Sequence, residues 1–123
     1  MVVLAAVIVL AGLVLRRCSR HVRGIEVCVQ NVDRQPLRSG EVAVKSSLST
    51  RRYTIGDLAQ AHRACVWVKA DKEASVDVTF KTPNGTSRVI PLSGYIEPGY
   101  SGWISAEVTG EGARSVHDDI DVY

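Results

Sequence analysis

The sequence lacks the short motifs that mark the common catalytic sites. It contains no G-x-S-x-G, no H-E-x-x-H, no Walker-type phosphate loop and no G-x-G-x-x-G. Its histidines, His21, His62 and His117, are far apart and fall in no metal-ligand pattern. We therefore predict that the protein is not an enzyme and that it has no catalytic residues, no metal and no cofactor.

The sequence also lacks a continuous basic surface pattern. No stripe of lysine and arginine is interleaved with aromatic residues, so nucleic acid is not an expected partner. Four of the 15 lysines and arginines lie in residues 16–23, where there is no acidic residue. The other 11 face 13 aspartates and glutamates, which leaves a charge of −2 on the rest of the chain.

The first 15 residues carry no charged or polar side chain. As a helix, Val2 to Leu15 would span about 21 Å, against about 30 Å for a bilayer core. A cleaved secretory signal, an uncleaved anchor and an anchor that begins further upstream would all give such a run. No basic residue precedes it and no small-x-small cleavage site ends it. We therefore predict a single N-terminal apolar helix over residues 1–15 that anchors the protein in the membrane as a single-pass segment.

A basic juxtamembrane stem, RRCSRHVR, follows over residues 16–23. Its arginines are predicted to contact lipid headgroups; they are Arg16, Arg17, Arg20 and Arg23. This charge bias predicts a domain on the cytoplasmic face, whereas small β-sandwiches on anchors of this kind are more often exported. The sequence leaves the side of the membrane open.

From residue 24 to residue 123, apolar residues alternate with polar ones. The clearest segment is ASVDVTFKT, in which Val76, Val78 and Phe80 share one side. Similar segments are separated by Gly, Pro, Asn and Asp turns, and only residues 54–62 could form a helical turn. Residues 24–123 are therefore predicted to form one all-β domain, an antiparallel sandwich of seven or eight strands. The segments are residues 24–32, 40–46, 51–55, 63–69, 74–82, 87–92, 102–108 and 115–123.

Pro91 confines its strand to an edge or a bulge, because proline donates no ladder hydrogen bond. In the last segment Val116, Ile120 and Val122 are in phase and predicted to face the core.

Cys28 and Cys65 lie in predicted strands, out of phase with the valines around them. They could form a cross-strand disulfide if the first and fourth strands are neighbours. Two unpaired thiols on partly covered faces explain the positions equally well.

Three aromatic residues surround a Pro-Gly turn in YIEPGYSGW: Tyr95, Tyr100 and Trp103. An exposed cluster of this kind could stack on a sugar ring or hold a partner peptide. The alternative is that Tyr95 and Tyr100 pack over the end of the sandwich, as in a tyrosine corner. Trp67, on the non-core side of its strand, is a further candidate contact.

The stretches IEVCVQNVDRQPLRSGEVAV and YTIGDLAQAHRACVWV resemble the opening of bacterial immunoglobulin-like domains of the CARDB and fibronectin-III-like kind. The matching residues are Asn31, Pro36, Leu37, Val42, Val44, Gly56 and Leu58. Residues 59–61 differ from the Pro-Gly turn often found there. Residues 94–108 resemble a segment of small uncharacterised membrane-anchored bacterial proteins. The resemblance implies an immunoglobulin-like fold and no shared catalytic residues.

These features together predict a non-catalytic, membrane-tethered binding or scaffold module that contacts another protein. The alternative is an exported domain that binds a saccharide or a cell-wall component through Tyr95, Tyr100 and Trp103. Membrane lipid is the expected partner of the N-terminal segment.

Overall fold

The computed structural model describes residues 24–122, which form eight β-strands and no helix. Each alternating segment of the sequence becomes one strand, which confirms the all-β prediction. Residues 54–62 finish one strand and turn into the next. The strands are β1 (Ile25–Asn31), β2 (Leu37–Ser46), β3 (Thr50–Leu58), β4 (Arg63–Val68), β5 (Ala74–Lys81), β6 (Ser87–Ile96), β7 (Ser101–Thr109) and β8 (Gly112–Asp121).

The predicted anchor of residues 1–15 and the predicted stem of residues 16–23 lie outside the described residues, as does Tyr123. Between residues 24 and 122, no helix has the length and apolar character needed to cross a membrane.

The strands form two four-stranded sheets. Sheet A has the order β4-β1-β7-β8, and sheet B has the order β3-β2-β5-β6. All pairs of neighbours are antiparallel except β1 and β7, which are parallel. The prediction of a wholly antiparallel sandwich is therefore wrong at this pair. A parallel pair cannot be joined by a tight turn, and here five strands separate its members.

The position of β1 also departs from that of the first strand in constant-type immunoglobulin domains. There the first strand lies at the edge of an A-B-E-D sheet, whereas β1 lies inside its sheet, between β4 and β7.

The apolar side of each strand meets its counterpart from the other sheet. Val27, Val42, Val76, Val78 and Ile104 are fully buried between the sheets. Because successive side chains in a strand point to opposite sides, the other phase of sheet A faces solvent. The buried core cluster consists of Ile25, Val27, Val29, Leu37, Val42, Val44, Leu58, Val68, Ala74, Val76, Val78, Phe80, Ile90, Leu92, Ile96, Ile104, Ala106 and Val108.

Strand β8 follows the predicted pattern only at one residue. Ile120 packs against the core cluster, but Val116 is 37% exposed and Val122 is 59% exposed. Their predicted burial is wrong: Val116 lies in β8, an edge strand with a single neighbour, β7, and Val122 follows the end of that strand. An edge strand is covered from one side only.

Strand β6 confirms the prediction for Pro91, because it is an edge strand of sheet B.

A tight turn joins β5 to β6. In this turn the N–H of Gly85 donates to the Thr82 carbonyl at 2.9 Å, and Gly85 has a φ of 86°. Asn84 keeps a negative φ. The connection is therefore a type I turn followed by a left-handed glycine, a common three-residue hairpin loop.

At the opposite end of the sandwich from Gly24, one buried side chain links the β1–β2 connection to the end of β3. The Nδ2 atom of Asn31 donates to the carbonyls of Gln35 and Leu58, each at 2.9 Å, and its Oδ1 accepts from the N–H of Asp33 at 2.8 Å. Asn31 is fully buried. These bonds explain why β1 ends in asparagine, because a buried amide is stable only when its polar atoms are paired.

Candidate binding face

The outer side of sheet A places the two tryptophans of the chain on either side of a carboxylate. Glu26 of β1 is opposite Trp67 of β4 and also opposite Trp103 of β7. Side chains that face each other on adjacent strands have Cβ atoms about 4.5–5.5 Å apart. We call the outer side of β4, β1 and β7, with Trp67, Glu26, Trp103, Cys28, Cys65, Arg63 and Ser105, the tryptophan face.

A disulfide forms the floor of this face. Cys28 and Cys65 are opposite each other in β1 and β4. Their Sγ atoms are 2.15 Å apart, and their Cα atoms are 4.1 Å apart. Cys28 is 2% exposed although it points away from the core, whereas Cys65 in the edge strand is exposed. The bond fixes β4, the edge strand that carries Trp67, to β1.

Beside the disulfide there is a half-open cavity of about 340 Å³. This volume is within the range of small-molecule binding sites, about 300–1,000 Å³. One wall is the indole of Trp103, and the polar groups are a carboxylate, a guanidinium and a hydroxyl. The lining residues are Glu26, Cys28, Arg63, Trp103, Ile104 and Ser105.

The outer side of sheet A carries more negative than positive charge. Within residues 24–122, neither Glu26 nor Arg63 forms an ion pair. Arg63 is the single lysine or arginine among the outward residues of β4, β1 and β7, and the exposed Arg114 lies at the register shift of β8. The outward carboxylates of the same sheet, assigned from the strand register, are Glu26, Glu107, Asp119 and Asp121.

The described residues do not form a nucleophile–base pair on this face. Ser105 of β7 is opposite His117 of β8, but no hydrogen bond joins their side chains. The same part of the chain contains no group of three or more His, Cys, Asp or Glu side chains that could hold a metal ion.

The structure separates the three aromatic residues of the YIEPGYSGW segment. Tyr95 and Tyr100 remain together, with ring centroids 6.3 Å apart and planes at 69°. Tyr100 packs against the core cluster, and Tyr95 is half-exposed at the end of β6. Trp103 points instead to the outer side of sheet A, and Trp67 lies across Glu26 from it.

The Tyr95 hydroxyl donates a hydrogen bond to the Glu97 carboxylate. This bond, together with desolvation and the charges of nearby glutamates, raises the pKa of Tyr95 above its ordinary value. The side chain is thereby held at the end of the sandwich, in a different place from the cavity beside Trp103.

Sequence reasoning did not select Glu26, Arg63 or Ser105. Each lies on the polar phase of its strand, like many ordinary surface residues. Their convergence depends on β1 lying between β4 and β7, which the alternation of a single strand does not specify. A pairing of the two cysteines would have been the one available signal that β4 neighbours β1.

No protein-family model and no curated protein matches the chain. Among solved structures, the NMR structure of a protein from Eubacterium rectale is similar, with a TM-score of 0.49 and 12% sequence identity. The similarity covers 78% of this chain and 88% of that one. The strands of residues 24–122 themselves define an eight-stranded, two-sheet β-sandwich with a tryptophan face on its outer surface.

Proposed function

We propose that this protein is a non-catalytic, membrane-tethered binding module whose tryptophan face holds a basic segment of a partner protein. The observation that carries the proposal is Glu26, a carboxylate between Trp67 and Trp103 on the solvent side of sheet A. Indole faces and carboxylates both attract an arginine or lysine side chain. Tryptophans are also enriched among the residues that dominate protein–protein binding energy.

The charge of the face supports a basic partner rather than an acidic one. The outer side of sheet A carries the carboxylates of Glu26, Glu107, Asp119 and Asp121, which outnumber the guanidiniums of Arg63 and of Arg114 at the register shift of β8. Complementary charge speeds association and disfavours wrong partners. Binding should therefore weaken as ionic strength rises.

The side chains that line the cavity support a non-catalytic role. Arginine keeps its proton at neutral pH, so Arg63 cannot exchange protons with a substrate. Glu26 is then the one acid–base group among the lining residues. Enzymes whose mechanism pairs an acid with a base need a second such group, which the lining residues do not include.

The tether is the segment of residues 1–15, with Arg16, Arg17, Arg20 and Arg23 on lipid headgroups. We place the domain on the extracytoplasmic side. The disulfide between Cys28 and Cys65 supports this side, because disulfides persist in oxidising compartments. The position of the arginines favours the opposite side, but the sign of flanking charge is only a tendency.

The finer fold assignment, a bacterial immunoglobulin-like domain of the CARDB or fibronectin-III-like kind, stays a prediction. The motif at Asn31, Pro36 and Leu37 supports it, since Asn31 has a defined structural role. The central position of β1 in sheet A counts against it.

A second candidate, saccharide binding, is favoured by the cavity beside Trp103. A sugar ring can stack on an indole while its hydroxyls bond to surrounding donors and acceptors. Glu26, Arg63 and Ser105 offer both kinds of group. In this saccharide-binding proposal Trp103 contacts the sugar, and Tyr95 and Tyr100 do not.

Titration of the full chain in nanodiscs separates the two candidates. The ligands are an arginine-rich peptide, a glutamate-rich peptide of equal length and a neutral oligosaccharide. We expect the arginine-rich peptide to bind, and Trp103→Ala and Glu26→Gln to weaken it about tenfold or more. Val89→Ala is the matched control, because Val89 is similarly exposed but lies in sheet B.

Binding of the oligosaccharide alone, lost in Trp103→Ala, would favour the second candidate. Equal binding of both peptides, or no effect of either substitution on the tryptophan face, would show that the first proposal is wrong.

A further inference from the structure

The two ends of the sandwich expose different side chains. Gly24, where the described chain begins, lies beside Lys69 and Tyr100. Ser46 is opposite Ala74, and Ser101 is opposite Asp121. The connections at residues 47–49, 69–73 and 97–100 and the end of β8 therefore share one end with Gly24, and we call it the tether end.

The tether end exposes three large apolar side chains, whereas Val89, the third residue of β6, is exposed near the opposite end. Leu48 is 71% exposed, Tyr95 is 50% exposed and Val122 is 59% exposed. Among residues 24–122, no large hydrophobic residue is exposed in the connections of the opposite end, which are residues 32–36, 59–62, 82–86 and 110–111. Exposed apolar side chains gathered on one side of a domain are a feature of protein and membrane interaction sites.

Leu48 is held outward by a tight turn. The N–H of Ser46 donates to the Ser49 carbonyl at 2.9 Å, which closes the β2–β3 hairpin. The Ser46 hydroxyl accepts from the N–H groups of Leu48 and Ser49, at 3.4 and 3.2 Å. The tip is thus fixed by hydrogen bonds, and an apolar side chain occupies a place where a polar one would be usual.

The sequence before Gly24 indicates what covers this end. Residues 16–23 separate Gly24 from the apolar segment, and eight residues span at most about 28 Å. We infer that the tether end rests on the lipid bilayer, with Leu48, Tyr95 and Val122 in the boundary between headgroups and acyl chains. Tyrosine is enriched at that depth. The inference rests on the membrane tether of the proposed function.

The contact is apolar rather than electrostatic. Arg51 and Asp71 form an ion pair with each other. Arg52 pairs with Glu41, and the remaining cations of this end, Lys69 and Lys72, are outnumbered by Glu73, Glu97 and Asp121. The domain should therefore rest on zwitterionic lipid as well as on anionic lipid, and high salt should not release it, unlike the contact of the stem arginines.

The test uses the full chain with Cys18→Ser, which removes the thiol outside the disulfide. An environment-sensitive fluorophore is attached at Ser47→Cys, beside Leu48, or at Glu111→Cys, at the opposite end. Each labelled chain is reconstituted in phosphatidylcholine nanodiscs. Quenching by spin-labelled lipid is compared with quenching by aqueous iodide, and flotation with vesicles reports the tether separately.

The expected result is strong lipid quenching and a blue-shifted emission at residue 47, and iodide quenching at residue 111. Leu48→Ser should return the residue-47 probe to iodide, and 0.5 M salt should not. If the chain floats but both probes are equally open to iodide, the inference is overturned while the tether stands. If the chain does not float, both are overturned.

Discussion

The Nδ2 atom of Asn31 lies 2.9 Å from the carbonyl oxygen of Leu58, and it thereby connects the end of sheet A to the last residue of β3 in sheet B. The same side chain also bonds to Gln35 and Asp33. A residue that was only a motif position in the sequence is therefore a structural centre of the loops opposite the tether end.

Asn31→Ala should be strongly destabilising. It leaves the buried carbonyl of Leu58 and the more exposed carbonyl of Gln35 without their donor, which predicts a loss of about 1–3 kcal/mol in the free energy of unfolding. Urea unfolding followed by circular dichroism measures it. Gln30→Ala, one residue earlier on the solvent side, should change stability by less than about 0.5 kcal/mol. Equal effects of the two substitutions would contradict the role of Asn31.

Asp33 makes stability depend on acid. Its Oδ2 accepts from the N–H of Gly110 at 2.7 Å, and this bond is the main cause that lowers the pKa of Asp33 below its ordinary value of 3.8. A carboxyl whose pKa is lower in the folded state stabilises the fold above the unfolded pKa. That contribution is lost as pH falls through the folded pKa.

The stability of the protein should therefore decline below about pH 4. The stability of the Asp33→Asn variant should decline less steeply, because the asparagine amide does not titrate. Urea midpoints measured from pH 6 to pH 2.5 test this. Parallel curves for the two proteins would show that Asp33 does not contribute.

Ala61 occupies a backbone conformation that favours glycine. Its φ is 64°, and the N–H of His62 donates to the Ala59 carbonyl at 3.0 Å. This is a type II turn, whose third residue needs a positive φ. The sequence departs here from the Pro-Gly of the domains that it resembles, yet the turn keeps the geometry that glycine would adopt.

Ala61→Gly should accordingly raise the free energy of unfolding by about 0.5–1 kcal/mol. Ala59→Gly is the control, because Ala59 has a negative φ and gains nothing from glycine. A thermal unfolding series of both variants decides the matter. A stabilised Ala59→Gly beside a destabilised Ala61→Gly would reverse the argument.

The alternation of apolar residues was sufficient to predict the strands but not their neighbours. Val76, Val78 and Phe80 predict a buried side for β5 from local sequence alone, and all three are buried. The parallel pairing of β1 with β7 depends on contacts between distant segments, which no local pattern records. The same limit applies to Val116 and Val122, because the local pattern does not record that β8 lies at the edge of its sheet or that it ends before Val122.

The candidate site shows this limit most clearly. The sequence indicates Trp103 as a candidate contact because it belongs to the aromatic YIEPGYSGW segment, and Trp67 because it is on the non-core side of its strand. Glu26 gains its importance only because β1 separates the strands that carry them. Tyr95 and Tyr100 are close to Trp103 in sequence but on a different part of the surface, because the chain turns at Pro98 and Gly99 between β6 and β7.

The disulfide predicts a thiol count that reports the compartment directly. The full chain, purified from its native membrane and denatured without reductant, should react at one cysteine, Cys18, and at three after reduction. Cys28 and Cys65 are 37 residues apart, and closing a loop of that length stabilises a fold by about 4 kcal/mol. Reduction and the double variant Cys28→Ala/Cys65→Ala should therefore lower the free energy of unfolding by similar amounts, and Cys18→Ala should not change it. Three reactive thiols before reduction would place the domain in a reducing compartment. The tryptophan face would then depend on backbone pairing alone to keep Trp67 beside Glu26.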